Sequence, residues 1–507
     1  MTLEVDMRGI TKRFPGVVAD DNVDFSVNTG EIHALMGENG AGKSILMSIL
    51  AGLHQADEGE IYLRGEKVAI NSPLDAIESG IGMVFQAFKL FPSFTIAENV
   101  VFREEPTHGP LLDRAAANRA VAEISERYQL AVDPKARVDS VPVGVLQRVE
   151  IIKALYRDAR VLILDEPTAV LTPQETEGLF NILRALRDDG RTIIFITHKM
   201  KEVMAISDRV TVLRDGKVTA RLITAESSAE EITHHMTGRD VDLTMAPPQQ
   251  APGETVLSVK NLTVTDQGER PVVDDVNLEI HSGEIVGIAG VAGNGQVELA
   301  EAIMGLRAID NGRVAVQNQD VTQASVRHRR DAGLTYIPED RHGVGTAPLA
   351  DGAANLAMGH HRRAPLLRSG LLKRSRMVWH ARRLIERFRI KIASPATPVG
   401  TLSGGNLQKI VVARELDYDS SVLIAEQPTR GVDVGAIEAI HRELTTYRDR
   451  GGAVLLISAE LSEIQSLSGR ILVMFEGRIV ADLDARDVTE KQLGYLMAGG
   501  EQAVAAS

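Results

Sequence analysis

Residues 37–44 read Gly37-Glu38-Asn39-Gly40-Ala41-Gly42-Lys43-Ser44, a G-x-x-x-x-G-K-S run. An apolar run at 32–36 precedes it and a helix-patterned stretch at 44–50 follows it, closed by Gly52. A strand entering and a helix leaving a glycine-rich loop is the setting in which this run binds phosphate. The glycines let backbone N–H groups converge on phosphate oxygens, and the helix N-terminus adds partial positive charge. Lys43 is placed to reach the β- and γ-phosphates of a nucleotide, and the Ser44 hydroxyl to hold Mg²⁺.

The same text is written twice. Residues 284–290 (EIVGIAG) repeat 31–37 (EIHALMG), and 422–429 (VLIAEQPT) repeat 161–168 (VLILDEPT). A repeat this long predicts two copies of one domain. Residues 245–253 (MAPPQQAPG) read as a polar, proline-rich linker. The expected division is a first domain at 1–240, a linker at 241–254 and a second domain at 255–507. Each copy opens with short alternating runs, as at 3–10 and 59–63, that predict antiparallel strands. Apolar runs then alternate with helical patterns, the signature of an α/β sheet. The middles, 88–157 and 341–420, are helix-rich and predict a separate lobe in each copy. The arginine-dense stretch 362–391 reads as a solvated or membrane-facing helical surface, because charge runs usually mark an exposed face.

Composition excludes several classes. Asp and Glu number 69 against 56 Lys and Arg, a net charge of −13, which argues against general nucleic-acid binding. The chain has no cysteine, so disulfides and thiolate metal sites are ruled out and a reducing compartment fits. The N-terminus lacks a basic-then-apolar signal pattern. No run approaches the ~18 apolar residues that span a bilayer, so a membrane role is expected to work through partners.

Two further apolar runs end in chemistry. Residues 161–164 predict a buried strand that delivers Asp165 and Glu166 to the carboxyl edge of the sheet, where open α/β folds bind ligands. Asp165 is a candidate for Mg²⁺ and Glu166 for polarising an attacking water. His198 follows the run 192–197 and is a candidate for the γ-phosphate. Gln86 follows 81–84 and is placed to sense the metal and the water.

GENGAGKS, Gln86, VLILDEPT and ITHK in the first copy, with LSGGNLQK at 402–409 in the second, resemble ATP-binding-cassette ATPase domains over nearly the whole chain. The doubled layout is similar to the fused ATPase subunits of bacterial simple-sugar importers of the ribose and galactose type. VPVGVLQRVEIIKALYRDARVLILDEPTAVLTPQE, FITHKMKEVMAISDRVTVLRDGK and EQPTRGVDVGAIE look closest to the nucleoside-importing branch. The resemblance implies tandem P-loop NTPase domains, each with a RecA-like core, an antiparallel β subdomain and a helical lobe. It implies ATP and Mg²⁺ as ligands, and Phe14 stacked on adenine. Ile45 stands where threonine is usual, which weakens a contact to the α-phosphate. The implied partners are two transmembrane permease subunits and, indirectly, an extracytoplasmic solute-binding protein, with the chain peripheral on the cytoplasmic face of the membrane. No direct membrane span and no nucleic-acid partner are expected.

By the same resemblance each nucleotide lies between the P-loop of one cassette and the LSGG signature of the other. One composite site then joins the first copy's P-loop, Gln86, Asp165, Glu166 and His198 to Ser403, Gly404, Gly405, Gln408 and Asp433 of the second. The other composite site has lost its chemistry. Gln296 and Val297 replace the lysine and serine, Glu426-Gln427 the acid pair, Ala459 the histidine and Gln267 the aromatic. Val141-Pro142-Val143-Gly144 replaces the signature, and Thr172 replaces Asp433. The losses segregate onto one site, so one competent site per chain is expected, hydrolysing ATP. The competing readings are a tandem-cassette ATPase acting on ribosomes or nucleic acid, and a binding-only regulator. The lost second P-loop and short linker oppose the first, and zero cysteines exclude the zinc modules of DNA-repair types. Glu166 and His198 oppose the second.

Overall fold

The computed structural model describes residues 2–15, 17–85, 88–108, 111–168, 171, 173–239, 251–266, 270–291, 293–362, 366–368 and 371–500. The chain divides into two units, Met1–Val241 and Asp242–Ser507. Most of the expected 241–254 linker lies outside the described residues.

In the first unit, strand Leu3–Phe14 pairs antiparallel with Val17–Asn28 on one side and Glu58–Leu63 on the other, and Glu66–Val68 completes a four-stranded sheet. A second sheet runs Lys217–Ile223, Arg209–Arg214, Ile32–Gly37, Thr192–Ile196, Val161–Asp165, Ile81–Val84. Its strands are parallel except the antiparallel edge Lys217–Ile223. Parallel strands covered on both faces read as continuous apolar runs. Ile32–Gly37 and Thr192–Ile196 are accordingly buried at every position. Helix Lys43–Leu50 sends Leu46, Met47, Ile49 and Leu50 into a cluster shared with Val5, Met7 and Phe25 of the first sheet and Leu35, Ile163 and Ile194 of the second. The glycine-rich loop is therefore clamped between two sheets.

The opposite face of the parallel sheet packs against helices of the lobe, among them Ile96–Val101, Arg114–Arg127 and Val143–Tyr156. Thr95 and Glu98 form a capping box at the first of these, and Asp113 caps the second through Ala116 N–H, which satisfies orphan donors at both starts. A two-stranded hairpin, Thr107–His108 with Leu111–Leu112, also sits in the lobe. Runs of two residues carry no periodicity, so the sequence pattern does not announce it.

The second unit repeats the plan. Thr255–Thr265 is flanked by Pro271–His281 and Asn311–Val316, and the six-stranded sheet runs Leu334–Ile337, Val422–Glu426, Ala453–Ile457, Ile285–Ala289, Arg470–Phe475, Arg478–Asp484. The repetition reaches single residues. Asn99 and Asn355 each bridge the loop before their helix, to Phe91 and Ala347 respectively. Arg103 and Gly359 each end a helix with φ near +75° (74° and 76°). The arginine-dense stretch includes helix Arg374–Arg387, in which Arg374, Arg383 and Arg387 pair with Asp351, Asp417 and Glu443. Among the described residues no helix is long and apolar enough to cross a membrane.

Candidate nucleotide site

Strand Ile32–Gly37 delivers the loop at its carboxyl end, and the loop geometry demands its glycines. Gly42, the N-cap of helix Lys43–Leu50, has φ 105°, and a Cβ there would lie 2.3 Å from Asp20 Oδ1. A Cβ on Gly37 would lie 2.4 Å from the Leu213 carbonyl oxygen. Lys43 folds back into the loop, its Nζ donating to the carbonyls of Gly37 (2.7 Å) and Glu38 (3.1 Å). Burial lowers its pKa, opposed by the carboxylates of Glu166, Asp165 and Glu38. Asn39, Gly40 and Ser44 are exposed, while Ala41 is buried. Ile45 is partly buried against the apolar cluster; the methyls that replace the usual hydroxyl are used in packing.

Asp165 ends strand Val161–Asp165. Burial and the neighbouring Glu166 charge push its carboxyl up to about 6, against Lys43 and a hydrogen bond from Ser44. A carboxylate held in that condition gains from a cation, and Ser44 hydroxyl with Asp165 carboxylate is an oxygen donor pair of the kind Mg²⁺ takes. Glu166 follows with φ 46°, a left-handed conformation that non-glycine residues adopt rarely and mostly under functional constraint. Its N–H donates to the Ile196 carbonyl at 3.0 Å, and its Oε1 lies 2.8 Å from His198 Nδ1. Burial pushes Glu166 up, but the His198 hydrogen bond and charge, with Lys43 and Lys199, outweigh it and hold the group below the ordinary range. The P-loop, Asp165, Glu166 and His198 are thus one constellation. Phe14 stands at a strand end, 37% exposed, its ring edge-on to His54. Gln86, Thr172 and Gln267 lie outside the described residues.

Glu202 belongs to this constellation and the sequence reading passed over it. Buried, it accepts from Thr168 Oγ1 (2.5 Å), two residues after Glu166, and from Thr197 Oγ1 (2.9 Å), one before His198. It braces both arms of the Glu166–His198 pair. The repeat carried the signal: Glu463 occupies the matching place and accepts from Thr429 Oγ1 at 2.8 Å. The brace survives in both copies, while the Glu166–His198 pair it supports in the first is Gln427 and Ala459 in the second.

The second unit keeps the backbone and loses the groups. Gln427 has φ 44° and its N–H donates to the Ile457 carbonyl at 2.7 Å, as Glu166 does to Ile196. Its Oε1 accepts from Ala459 N–H at 3.1 Å. Gln296 Nε2 donates to the Val291 carbonyl at 3.1 Å, occupying the role of Lys43 without its charge. Glu426, 1% exposed, accepts from the Tyr336 hydroxyl (2.5 Å) and Glu339 N–H (3.2 Å), and burial raises its pKa.

What the second unit retains is its signature edge. Ser403 is exposed at the N-cap of helix Gly404–Leu416, accepting from Asn406 Nδ2 at 2.9 Å. A Cβ on Gly405 would stand 3.3 Å from Asp433 Oδ2, so Asp433, Ser403, Gly404 and Gly405 share one edge. Gln408 lies on the same helix, Gly404–Leu416. It is 1% exposed, its Nε2 without a partner, as is that of the buried Gln147 at the matching position of the first unit. In the first unit Pro142 caps helix Val143–Tyr156 and supplies no side-chain hydrogen bond.

Comparison with known proteins agrees with this anatomy. The model of the ABC transporter family matches residues 21–169 and again 273–430. A guanosine import ATP-binding protein of Bacillus subtilis (strain 168) is 46% identical over 99% of this chain and 98% of its own length. A glucose import ATP-binding protein of Haloferax volcanii is 45% identical over 98% of this chain and 96% of its own. Among solved structures, archaeal ribosome recycling factor aABCE1, in complex with ribosomal stalk protein aP1, aligns over 97% of this chain and 92% of that one. Its TM-score is 0.64 at 18% identity, a likeness of fold. The chain belongs to the ABC transporter family and carries two of that family's ATP-binding cassettes in tandem.

Proposed function

We propose that this chain is the ATP-hydrolysing subunit of an importer, with a single competent site formed by the catalytic half of the first cassette and the signature half of the second. The observation that carries the reading is the Glu166–His198 pair at 2.8 Å beside Lys43 and Asp165, set against Gln427 and Ala459 on the same backbone in the second cassette.

In this mechanism ATP binds with its β- and γ-phosphates in the Gly37–Ser44 loop, where backbone N–H groups and Lys43 neutralise charge. Ser44 and Asp165, with Gln86, would hold Mg²⁺, which supplies charge neutralisation at the phosphate oxygens. Glu166, kept ionised, accepts a hydrogen bond from the attacking water and aligns it. His198 orients Glu166 through Nδ1 and contacts the γ-phosphate. The water oxygen bonds to the γ-phosphorus as the bond to the β–γ bridging oxygen breaks, giving ADP, phosphate and a proton. Phe14 offers its ring to adenine. Ser403 and the Gly404 and Gly405 N–H groups donate to the γ-phosphate from the N-terminus of their helix, and Asp433 lines the same edge. Hydrolysis removes that bridging anion, a ligand-biased two-state element.

The relatives' names support import, and they divide between a guanosine and a glucose importer at nearly equal identity. We read the cargo as a nucleoside or simple sugar carried by two permease subunits fed by an extracytoplasmic binding protein, with this chain on the cytoplasmic face. Glu166→Gln is expected to retain ATP while turnover falls at least 10²-fold, the scale for losing one preorganised group. Ser403→Arg should block hydrolysis, and Pro142→Arg should spare it. Native turnover in Glu166→Gln, or equal loss from the two arginine variants, defeats the scheme.

A further inference from the structure

We propose that His360, His380 and Asp417 form a site for a divalent transition-type cation, with Zn²⁺ the natural occupant, that ties together three helices of the second unit's lobe. His360 follows helix Gly352–Ala357, His380 lies within helix Arg374–Arg387, and Asp417 ends helix Gly404–Leu416. One ligand atom from each lies within 4.8 Å of the other two, and no other such trio occurs among the described residues.

The orientation of the imidazoles points to metal rather than to chance proximity. His360 Nε2 lies 2.9 Å from the Arg414 carbonyl and His380 Nε2 lies 3.3 Å from the Leu356 carbonyl. A carbonyl accepts only from N–H, so both rings carry the proton on Nε2 and leave the Nδ1 lone pair. Donation of the second nitrogen to a backbone carbonyl is the support that metal-bound histidines use to fix tautomer and raise basicity. His380 Nδ1 lies 4.0 Å from Asp417 Oδ2. Both histidines are buried, at 7% and 4% exposure. Two imidazole nitrogens and one carboxylate oxygen, with a fourth position open, are a set that suits Zn²⁺.

Zn–ligand bonds of about 2.0–2.2 Å require the trio to draw in by roughly 1 Å. Three arginines stand in the way or nearby. Arg383 holds Asp417 Oδ2 at 2.5 Å, yet its side chain is 49% exposed and can swing to solvent. Arg330 is stacked over Tyr418 and paired with Glu415; Arg387 lies 4.0 Å from Asp417. The first unit is the internal control. Its matching positions are Glu104, Ala120 and Tyr156, and there the Tyr156 hydroxyl donates to the Glu104 carbonyl at 2.9 Å. The same three helices are closed by a tyrosine where the second unit has the ligand trio.

The test uses the full, tag-free, metal-stripped chain titrated with Zn²⁺ and, for its visible spectrum, Co²⁺. One saturable site per chain with a tetrahedral Co²⁺ band is expected. Affinity should fall at least tenfold in His380→Ala and Asp417→Asn, and Zn²⁺ should raise the melting temperature of the parent but not of those variants. Arg383→Met, which removes the competing cation, should bind severalfold tighter and keeps the inference testable if the ligand variants misfold. Absence of saturable binding by the parent, affinity unchanged in the ligand variants, or weaker binding by Arg383→Met would overturn it.

Discussion

Asp20→Val should stabilise the first unit, and should do so only above a definite pH. Asp20 is fully buried in strand Val17–Asn28, against the N-cap of the P-loop helix, and neither carboxyl oxygen has a hydrogen-bond partner. Burial alone raises its pKa from 3.8 to about 7. At 1.36 kcal/mol per unit that shift corresponds to a penalty of about 4 kcal/mol for the ionised, folded form, an upper value because the loop can relax. The sign follows from proton counting. Between pH 3.8 and about 7 the folded state holds a proton that the unfolded state releases. Stability therefore falls as pH rises through that window and is flat above it. Valine is the replacement the molecule itself supplies, since Val273 stands at the matching place in the second unit, fully buried. The assay is thermal unfolding by circular dichroism from pH 5 to 8, following the transition that MgATP raises. The parent should lose stability across the range relative to Asp20→Val, with the widest gap at pH 8. Parallel pH profiles, or a variant less stable than the parent at pH 8, would refute the reasoning.

Lys43→Ala should weaken ATP binding itself rather than turnover of bound ATP, because Lys43 is a side-chain cation held inside the loop by the Gly37 and Glu38 carbonyls; equilibrium binding by fluorescent nucleotide reads this out. Glu202→Ala should lower both stability, by about 1–3 kcal/mol for the stranded threonine hydroxyls, and kcat, because Thr168 and Thr197 flank the Glu166–His198 pair. Glu463→Ala should destabilise the second unit to a similar degree and leave kcat near the parent's, and equal kcat losses in the two variants would assign Glu202 no positioning role.

The two-cassette plan and the phosphate-binding half of the site were legible in the chain for local reasons. A glycine-rich loop between a buried strand and a helix is a short-range pattern, and covered parallel strands announce themselves as apolar runs at 32–36, 161–164 and 192–197. Internal repetition then separated scaffold from chemistry with no structure in hand: Gln427 and Ala459 mark what Glu166 and His198 do. Glu202 was missed because its importance lies in two threonines, 34 and 5 residues away.

What the tertiary structure alone decided are contacts across long separations. That Asp20 is buried unpaired beneath Gly42, that Glu426 is taken up by Tyr336, and that His360, His380 and Asp417 meet, each depends on which elements become neighbours once the sheets and lobe are packed. Sequence periodicity specifies the face a residue presents. It does not specify what that face meets, and the protonation of a carboxyl or the ligands of an ion depend on what it meets.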